Sequence, residues 1–273
     1  MQDQNRVQWV YSARNNQELS DRYDQWASNY DQDLDHDFGY IGPRKTAEIL
    51  AKHVSTGARV LDAGAGTGLM GRELAALGFI DIVAMDMSNG MLEEARKKGV
   101  YREFDRMVMG DPLDYATGSF DAVVSVGVLT VGHAPASSLD EIIRVTRPGG
   151  HVVFTLRRDV YLDSGFKQKQ ESLVAAARWK LTEVSEEFQA LPKGEPEVHH
   201  QVVVAGGPDD HLQQVVRIVV GPHGNRPRRL AGRVVALADA QRQAEHAEHA
   251  GDQLHLGRPD VAQRLDDGGV GVG

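Results

Sequence analysis

The sequence predicts an α/β fold: a parallel sheet with helices on both faces. Two observations carry this. Short apolar strands alternate with helical stretches from Val60 to Leu156, the pattern of a sheet buried on both sides. The segment VLDAGAGTGLMG, Val60 to Gly71, reads as strand, glycine-rich loop and helix in immediate succession. Glycines at Gly64, Gly66 and Gly68 let a backbone turn sharply and approach a ligand with no Cβ in between. The helix that follows aims unpaired N–H groups at the same place. Ligands of such sheets bind beyond the carboxyl ends of the strands, where this loop lies.

Each element follows in order. The first ~40 residues are polar and acidic, with aromatics at Trp9, Tyr11, Tyr23, Trp26 and Tyr30, and DRYDQWASNYDQDLD reads as a helix and turn that lay aromatics on a neighbour. From Pro43, RKTAEILAKHV is an amphipathic helix with Ala47, Leu50 and Val54 inward. Val60–Asp62 is the first strand, and the helix after the loop closes near Gly78. Ile82–Met85 is the second strand, ending at Asp86. Ser88 caps MLEEARKK, and Gly99 ends that helix. Met107–Met109 is expected as a short third strand and Phe120–Val126 as a fourth. Ser137 with Asp140 resembles a capping box for a helix through Val145. Pro148-Gly149-Gly150 is expected to turn the chain into a fifth strand, His151–Leu156. A helix from Phe166 to Ala177 and strands at Lys180–Phe188 and Val198–Val204 complete the pattern.

Composition narrows the class. The chain has 273 residues, 41% hydrophobic and 25% charged, ordinary for a globular protein. No apolar run approaches the ~20 residues of a membrane span, and the N-terminus shows no secretory pattern. There are no cysteines, which removes disulfides and thiolate ligands and is compatible with the cytoplasm. A net charge of −9 argues against a nucleic-acid partner. After Ala205 the character changes: no aromatic, Ser, Thr, Lys or Met occurs, and Gly, Val, Arg, Gln, Asp, Ala and His dominate. Residues 205–273 therefore read as an atypical tail, out of frame from about Val203 or Val204, or else disordered. Seven histidines lie between His199 and His255, and His246 and His249 stand three apart. With no third ligand in a folded context, they read as surface histidines, not a metal site.

Two ligand classes use a strand–glycine loop–helix. Dinucleotide oxidoreductases show GxGxxG. Here the spacing is GxGxG, preceded by Asp62. Asp86, at the end of the second strand and 20 residues past Gly66, can accept from both ribose hydroxyls, or can serve only as a helix-entry aspartate. Asp111 follows the third strand in GDPLDY, where a plain turn aspartate is the alternative.

In this order and spacing, the motifs resemble the class I S-adenosylmethionine (SAM) methyltransferases over about residues 20–204. The segments YDQWASNYDQDL, GMLEEARKKGVY, VGVLTVGHAP, RVTRPGG and TLR resemble the methyltransferase-like 27 subgroup in particular. The resemblance implies a Rossmann-like seven-stranded sheet with its last strand antiparallel. It implies an N-terminal helical cap over residues 1–42, a SAM-binding domain over 43–204 and the tail beyond. SAM would be the cofactor. Asp62 would hold its ammonium, directly or through water, and backbone N–H groups around Gly64, Ala65 and Gly66 would face it, with Gly68 opening the helix. Asp86 and Met87 would flank the ribose. Asp111 and Pro112 would take the adenine amino end, Val126 would wall the methionine pocket, and Tyr30 would close over it. His133, past the fourth strand, is the candidate general base, and Arg44, Arg157 and Tyr161 are candidates for the acceptor pocket. The expected reaction is in-line methyl transfer to a small-molecule acceptor. The alternatives are a non-catalytic SAM-binding protein or an NAD(P)-dependent enzyme, although the Tyr-x-x-x-Lys pair usual in the latter is missing at the proper place.

Overall fold

The computed structural model describes residues 6–207. Its centre is one sheet in the strand order β3-β2-β1-β4-β5-β8-β6, with a short β7 paired to β8. The strands are β1 (Arg59–Ala63), β2 (Asp81–Asp86), β3 (Glu103–Arg106), β4 (Phe120–Ser125), β5 (Thr146–Arg157), β6 (Lys180–Val184), β7 (Phe188–Gln189) and β8 (His199–Gly206). The ladders from β3 through β5 are parallel, and β8 alone runs against its neighbours, antiparallel to β5, β6 and β7. The expected seven-strand path with a reversed last strand is present. The two-residue β7 is an addition to it.

Period-two alternation builds two apolar layers from the same strands. Leu61, Val83, Val123, Val152 and Phe154 face one side, where Leu139 and Ile142 of α6 (Ser138–Val145) and Phe166 and Leu173 of α8 (Phe166–Ala175) cover them. Val60, Ile82, Ala84, Ala122, Val124 and Val153 face the other. There they meet Ala47 and Leu50 of α3 (Gly42–His53), Met70 and Leu74 of α4 (Leu69–Ala76) and Leu92 and Ala95 of α5 (Asn89–Lys97). Leu50 has no exposed surface, so truncating it to alanine removes about 2–5 kcal/mol of stability. A third apolar cluster belongs to the cap, formed by α1 (Arg6–Tyr11), α2 (Asn16–Asp31) and a π-helical segment Gln32–Phe38. Trp26, Leu19, Val7 and Val10 bury one another there against Leu69 and Leu191. The aromatics of the N-terminal segment thus do lay themselves on a neighbour.

Four elements depart from the sequence reading, each for a physical reason. The third strand is Glu103–Arg106, not Met107–Met109. An edge strand needs only one bonded side, and this polar stretch pairs with Val83–Asp86 in register. The methionines beyond it turn over the carboxyl edge of the sheet. The capping box at Ser137 does not form. Its backbone is already helical (φ −63°, ψ −22°) where a cap residue must be extended, and Asp140 is drawn instead to Lys169 and Arg178. The Pro148-Gly149-Gly150 turn lies inside β5 as an irregularity: Phe120 pairs with Thr146, but Ala122 already pairs with His151. The expected strand Lys180–Phe188 divides at Ser185. That residue's N–H donates to the Val202 carbonyl at 2.9 Å, and its Oγ accepts from the Val202 N–H, also at 2.9 Å.

At the other end, β8 continues past the expected boundary at 204. Ala205 is fully buried and Gly206 pairs with both His151 and Lys180. Of the tail read over residues 205–273, Ala205 and Gly206 thus belong to the sheet, and residues 208–273, with His246 and His249, lie outside the described residues. No helix among the described residues is long and apolar enough to cross a membrane.

Candidate functional site

A cleft opens at the carboxyl ends of β1, β2 and β4. Gly64 and Gly66, Asp86 and Met87, Val126 to Val128, and Met107 to Met109 form its floor and walls. Asn16, Leu19, Tyr23 and Tyr30 of α2 cover it from the cap, and His133 closes the far end. Five methionines, Met85, Met87, Met91, Met107 and Met109, line this one space.

The glycine loop is shaped by close approach. Gly64 sits at φ +83°, and a Cβ there would lie 2.2 Å from Val128 Cγ2, so any other residue would collide with the cleft wall. Gly66 (φ +55°) has nothing within 4 Å of where a Cβ would be, so its surface is open to a ligand. The loop N–H groups are already committed, contrary to the expectation that they face a ligand. Gly64 and Ala65 both donate to the Met85 carbonyl, at 2.7 and 2.9 Å, and Gly66 donates to Asp86 Oδ2 at 2.8 Å. The loop is thereby stitched to the end of β2, leaving its shape and its carboxylates to meet a ligand.

Asp86 also accepts from the Ser88 N–H through Oδ1 at 2.9 Å. An ionised carboxylate offers about four acceptor positions, so acceptor capacity remains for a ligand. Burial raises its pKa, opposed by the N–H donors of Ser88, Gly66 and Met87. Asp62 is nearly devoid of exposed surface and does not itself line the cleft. Its Oδ2 accepts from the Tyr101 hydroxyl at 2.6 Å, while its buried Oδ1 has no partner. Burial pushes its pKa up to about 7, with the Tyr101 hydroxyl acting in the opposite direction. Tyr101 was not evident in the sequence. Its oxygen also accepts from the Gly71 N–H at 3.0 Å and so serves the first turn of α4, where Gly68 provides no side-chain cap. Its position just after the helix-ending Gly99 was the only available signal.

Of the other expected site residues, Tyr30, Gly64, Gly66, Asp86, Met87, Val126 and His133 line the cleft. Ala65 and Gly68 do not line it. Asp111 and Pro112 are exposed and lie off the cleft, because Met107–Met109 occupy the wall beyond β3. Arg44, Arg157 and Tyr161 do not line it either; Arg157 forms a paired contact with Asp159 at 3.0 and 2.6 Å. His133 has neither ring nitrogen free. Nδ1 lies 3.2 Å from the Val131 carbonyl and Nε2 lies 2.7 Å from the Tyr23 hydroxyl. Among the described residues no cluster of three or more His, Asp or Glu side chains could hold a metal ion.

The cap is tied to the rim of the cleft by acids of α2 and the π-helical segment. Asp24 accepts from Ser88 Oγ at 2.5 Å and from the Gly90 N–H at 2.8 Å, at the start of α5. Asp31 contacts Lys98 Nζ at 2.5 Å and the Thr67 hydroxyl, and Asp35 pairs with Arg72 at 2.7 Å.

Residues 61–154 match the methyltransferase domain family. Human methyltransferase-like protein 27 is 40% identical over 139 residues, covering 50% of this chain and 56% of that protein, so the chain spans about half the length of that relative. The demethylmenaquinone methyltransferase of Paenarthrobacter aurescens (strain TC1) is 34% identical over 210 residues, 72% of this chain and 75% of that protein. In fold, the cyclase SpnF superposes with a TM-score of 0.57 at 19% identity, over 72% of this chain and 97% of its own. A TehB-like SAM-dependent methyltransferase from Corynebacterium glutamicum superposes with a TM-score of 0.51 at 19% identity, over 68% and 98%.

Proposed function

The chain belongs to the class I SAM-dependent methyltransferases, and we propose that it moves a methyl group from SAM to a small-molecule acceptor in the cleft beneath the cap. The observation that carries this reading is the pair of carboxylates around the glycine loop. Asp86 keeps acceptor capacity beside the open surface of Gly66, where the hydroxyls of a ribose would donate. Asp62 keeps one buried oxygen without a partner, which fits the ammonium of the methionine end, reached directly or through a water. A cleft shared by SAM and acceptor also explains why the cap supplies Tyr23 and Tyr30: aromatic cover excludes water from the reacting groups.

SAM supplies a methyl group already activated on a positively charged sulfur, so the chain's residues have to align and dehydrate. Val126 and Val128 at the end of β4 and the methionines of the walls provide the apolar surface for that. Fold alone would not support this function, since the cyclase SpnF shares it. The acceptor class we favour is a small, ring-bearing molecule of quinone type. Its support is a cleft walled by methionine and aromatic side chains, together with bacterial relatives whose names specify demethylmenaquinone.

Calorimetry tests the cofactor assignment. Asp86→Ala removes hydrogen bonds to an ionised acceptor worth about 1.5–3 kcal/mol each, so SAM affinity should fall at least about tenfold. Unchanged affinity in a variant that melts like the parent would refute the ribose assignment. Incubation with SAM and reduced 1,4-naphthoquinone, read by mass spectrometry, tests the acceptor class. Binding of SAM with no methylated product would favour the non-catalytic alternative.

A further inference from the structure

Tyr23 and His133 meet across the cleft from different parts of the chain. Tyr23 stands on α2 of the cap, and His133 stands in the loop between β4 and α6. The contact fixes which atom carries each proton. A carbonyl only accepts, so the bond from His133 Nδ1 to Val131 places the ring proton on Nδ1. In the neutral ring, Nε2 is then an acceptor, and the Tyr23 hydroxyl donates to it at 2.7 Å. The tyrosine oxygen retains its lone pairs, and both side chains border the cleft. The geometry around them is held by rings. Tyr11 sits edge-on to the imidazole, with centroids 5.2 Å apart at 82°, and Tyr23 stacks on Trp26 and meets Tyr30 edge-on. Among the described residues no carboxylate hydrogen-bonds to either member of the pair.

We propose that Tyr23 and His133 are a proton relay: Tyr23 receives the proton of an acceptor hydroxyl while passing its own to His133 Nε2. The inference rests on the methyltransferase reading and specifies the acceptor further, as a phenol or quinol. The acceptor O–H bond breaks and leaves its electron pair on oxygen. A new O–H bond forms on Tyr23 as the old one breaks, and an N–H bond forms on His133. The acceptor becomes an anion and the imidazole a cation, so charge balances. An acceptor such as a thioether or tertiary amine has no such proton to give and would leave the aligned pair idle. Direct proton capture by the imidazole is blocked, because its open nitrogen already holds the tyrosine. The groups that face the pair are Tyr11 from α1, Tyr30 from α2 and the Val131 carbonyl from its own loop, with Asp86 acting on Tyr23 through its charge. Burial lowers the pKa of His133, so the ring is neutral before the acceptor binds, and the anion formed on the acceptor favours the imidazolium once the proton has passed.

The test uses the full chain saturated with S-adenosylhomocysteine (SAH) and titrated with 4-nitrophenol below that phenol's own pKa. The wild type should bind it as the yellow phenolate, its proton having passed to His133. Tyr23→Phe and His133→Asn, each saturated with SAH, should both bind it as the colourless phenol, with melting curves close to wild type. A colourless complex in the wild type, no binding of the phenol, or a retained phenolate band in either variant would overturn the relay. Failure of the wild type to bind SAH would instead overturn the methyltransferase reading on which it rests.

Discussion

Asp62 is a buried acid beside the glycine loop, with one oxygen left without a partner. Its folded pKa of about 7 lies well above the 3.8 of an ordinary aspartate, so between those values the folded chain holds a proton that the unfolded chain lacks. The stabilisation is complete below the lower value and is lost as pH rises through the upper one. Asp62→Asn should therefore flatten the dependence of unfolding free energy on pH across about pH 4 to 7, measured by urea titration. A ligand ammonium needs the carboxylate, not the acid. Binding of SAM near pH 6 should thus expel a proton in the wild type and none in Asp62→Asn, which calorimetry in buffers of different ionisation enthalpy reads directly. The place of Asp62 at the end of β1, just before the glycines, was legible in the sequence. The bridging of Asp62 to α4 by Tyr101 was not, because nothing local marks a tyrosine 39 residues away as the partner of a buried acid.

Helix ends give a second comparison, this time between two serines that look alike in sequence. Ser88 is extended (φ −94°, ψ 122°), and its Oγ accepts from the Met91 N–H, so it caps α5. Ser137 is helical and caps nothing. Ser88→Ala should cost about 1 kcal/mol in chemical denaturation, whereas Ser137→Ala should stay within about 0.5 kcal/mol of wild type. Equal losses would refute the distinction. The same contrast shows what periodicity and capping motifs convey. Strands buried on both faces, such as β1, β2 and β4, were readable from their own composition. The polar edge strand β3 was not, since it owes its existence to pairing with β2. Likewise Asp111 looked well placed by spacing, but it is exposed once Met107–Met109 take the wall.

Over the whole molecule, the cleft needs both halves of its surroundings. The sheet supplies the carboxylates and the cap supplies Tyr23 and Tyr30, with Asp24, Asp31 and Asp35 holding the two together. Among the described residues, all eight strands end by Gly206. A chain cut after Gly207 should therefore bind SAM with the affinity of the full chain; a large loss on truncation would give residues 208–273 a part in the site. The methionine wall has one further consequence. Five of the chain's seven methionines border the cleft, while Met70 of α4 lies in the core. Carbon-13 labels on the methionine methyls would place most of the NMR signals at the binding surface. A ligand entering the cleft would then move those five resonances and leave that of Met70 nearly still as an internal reference.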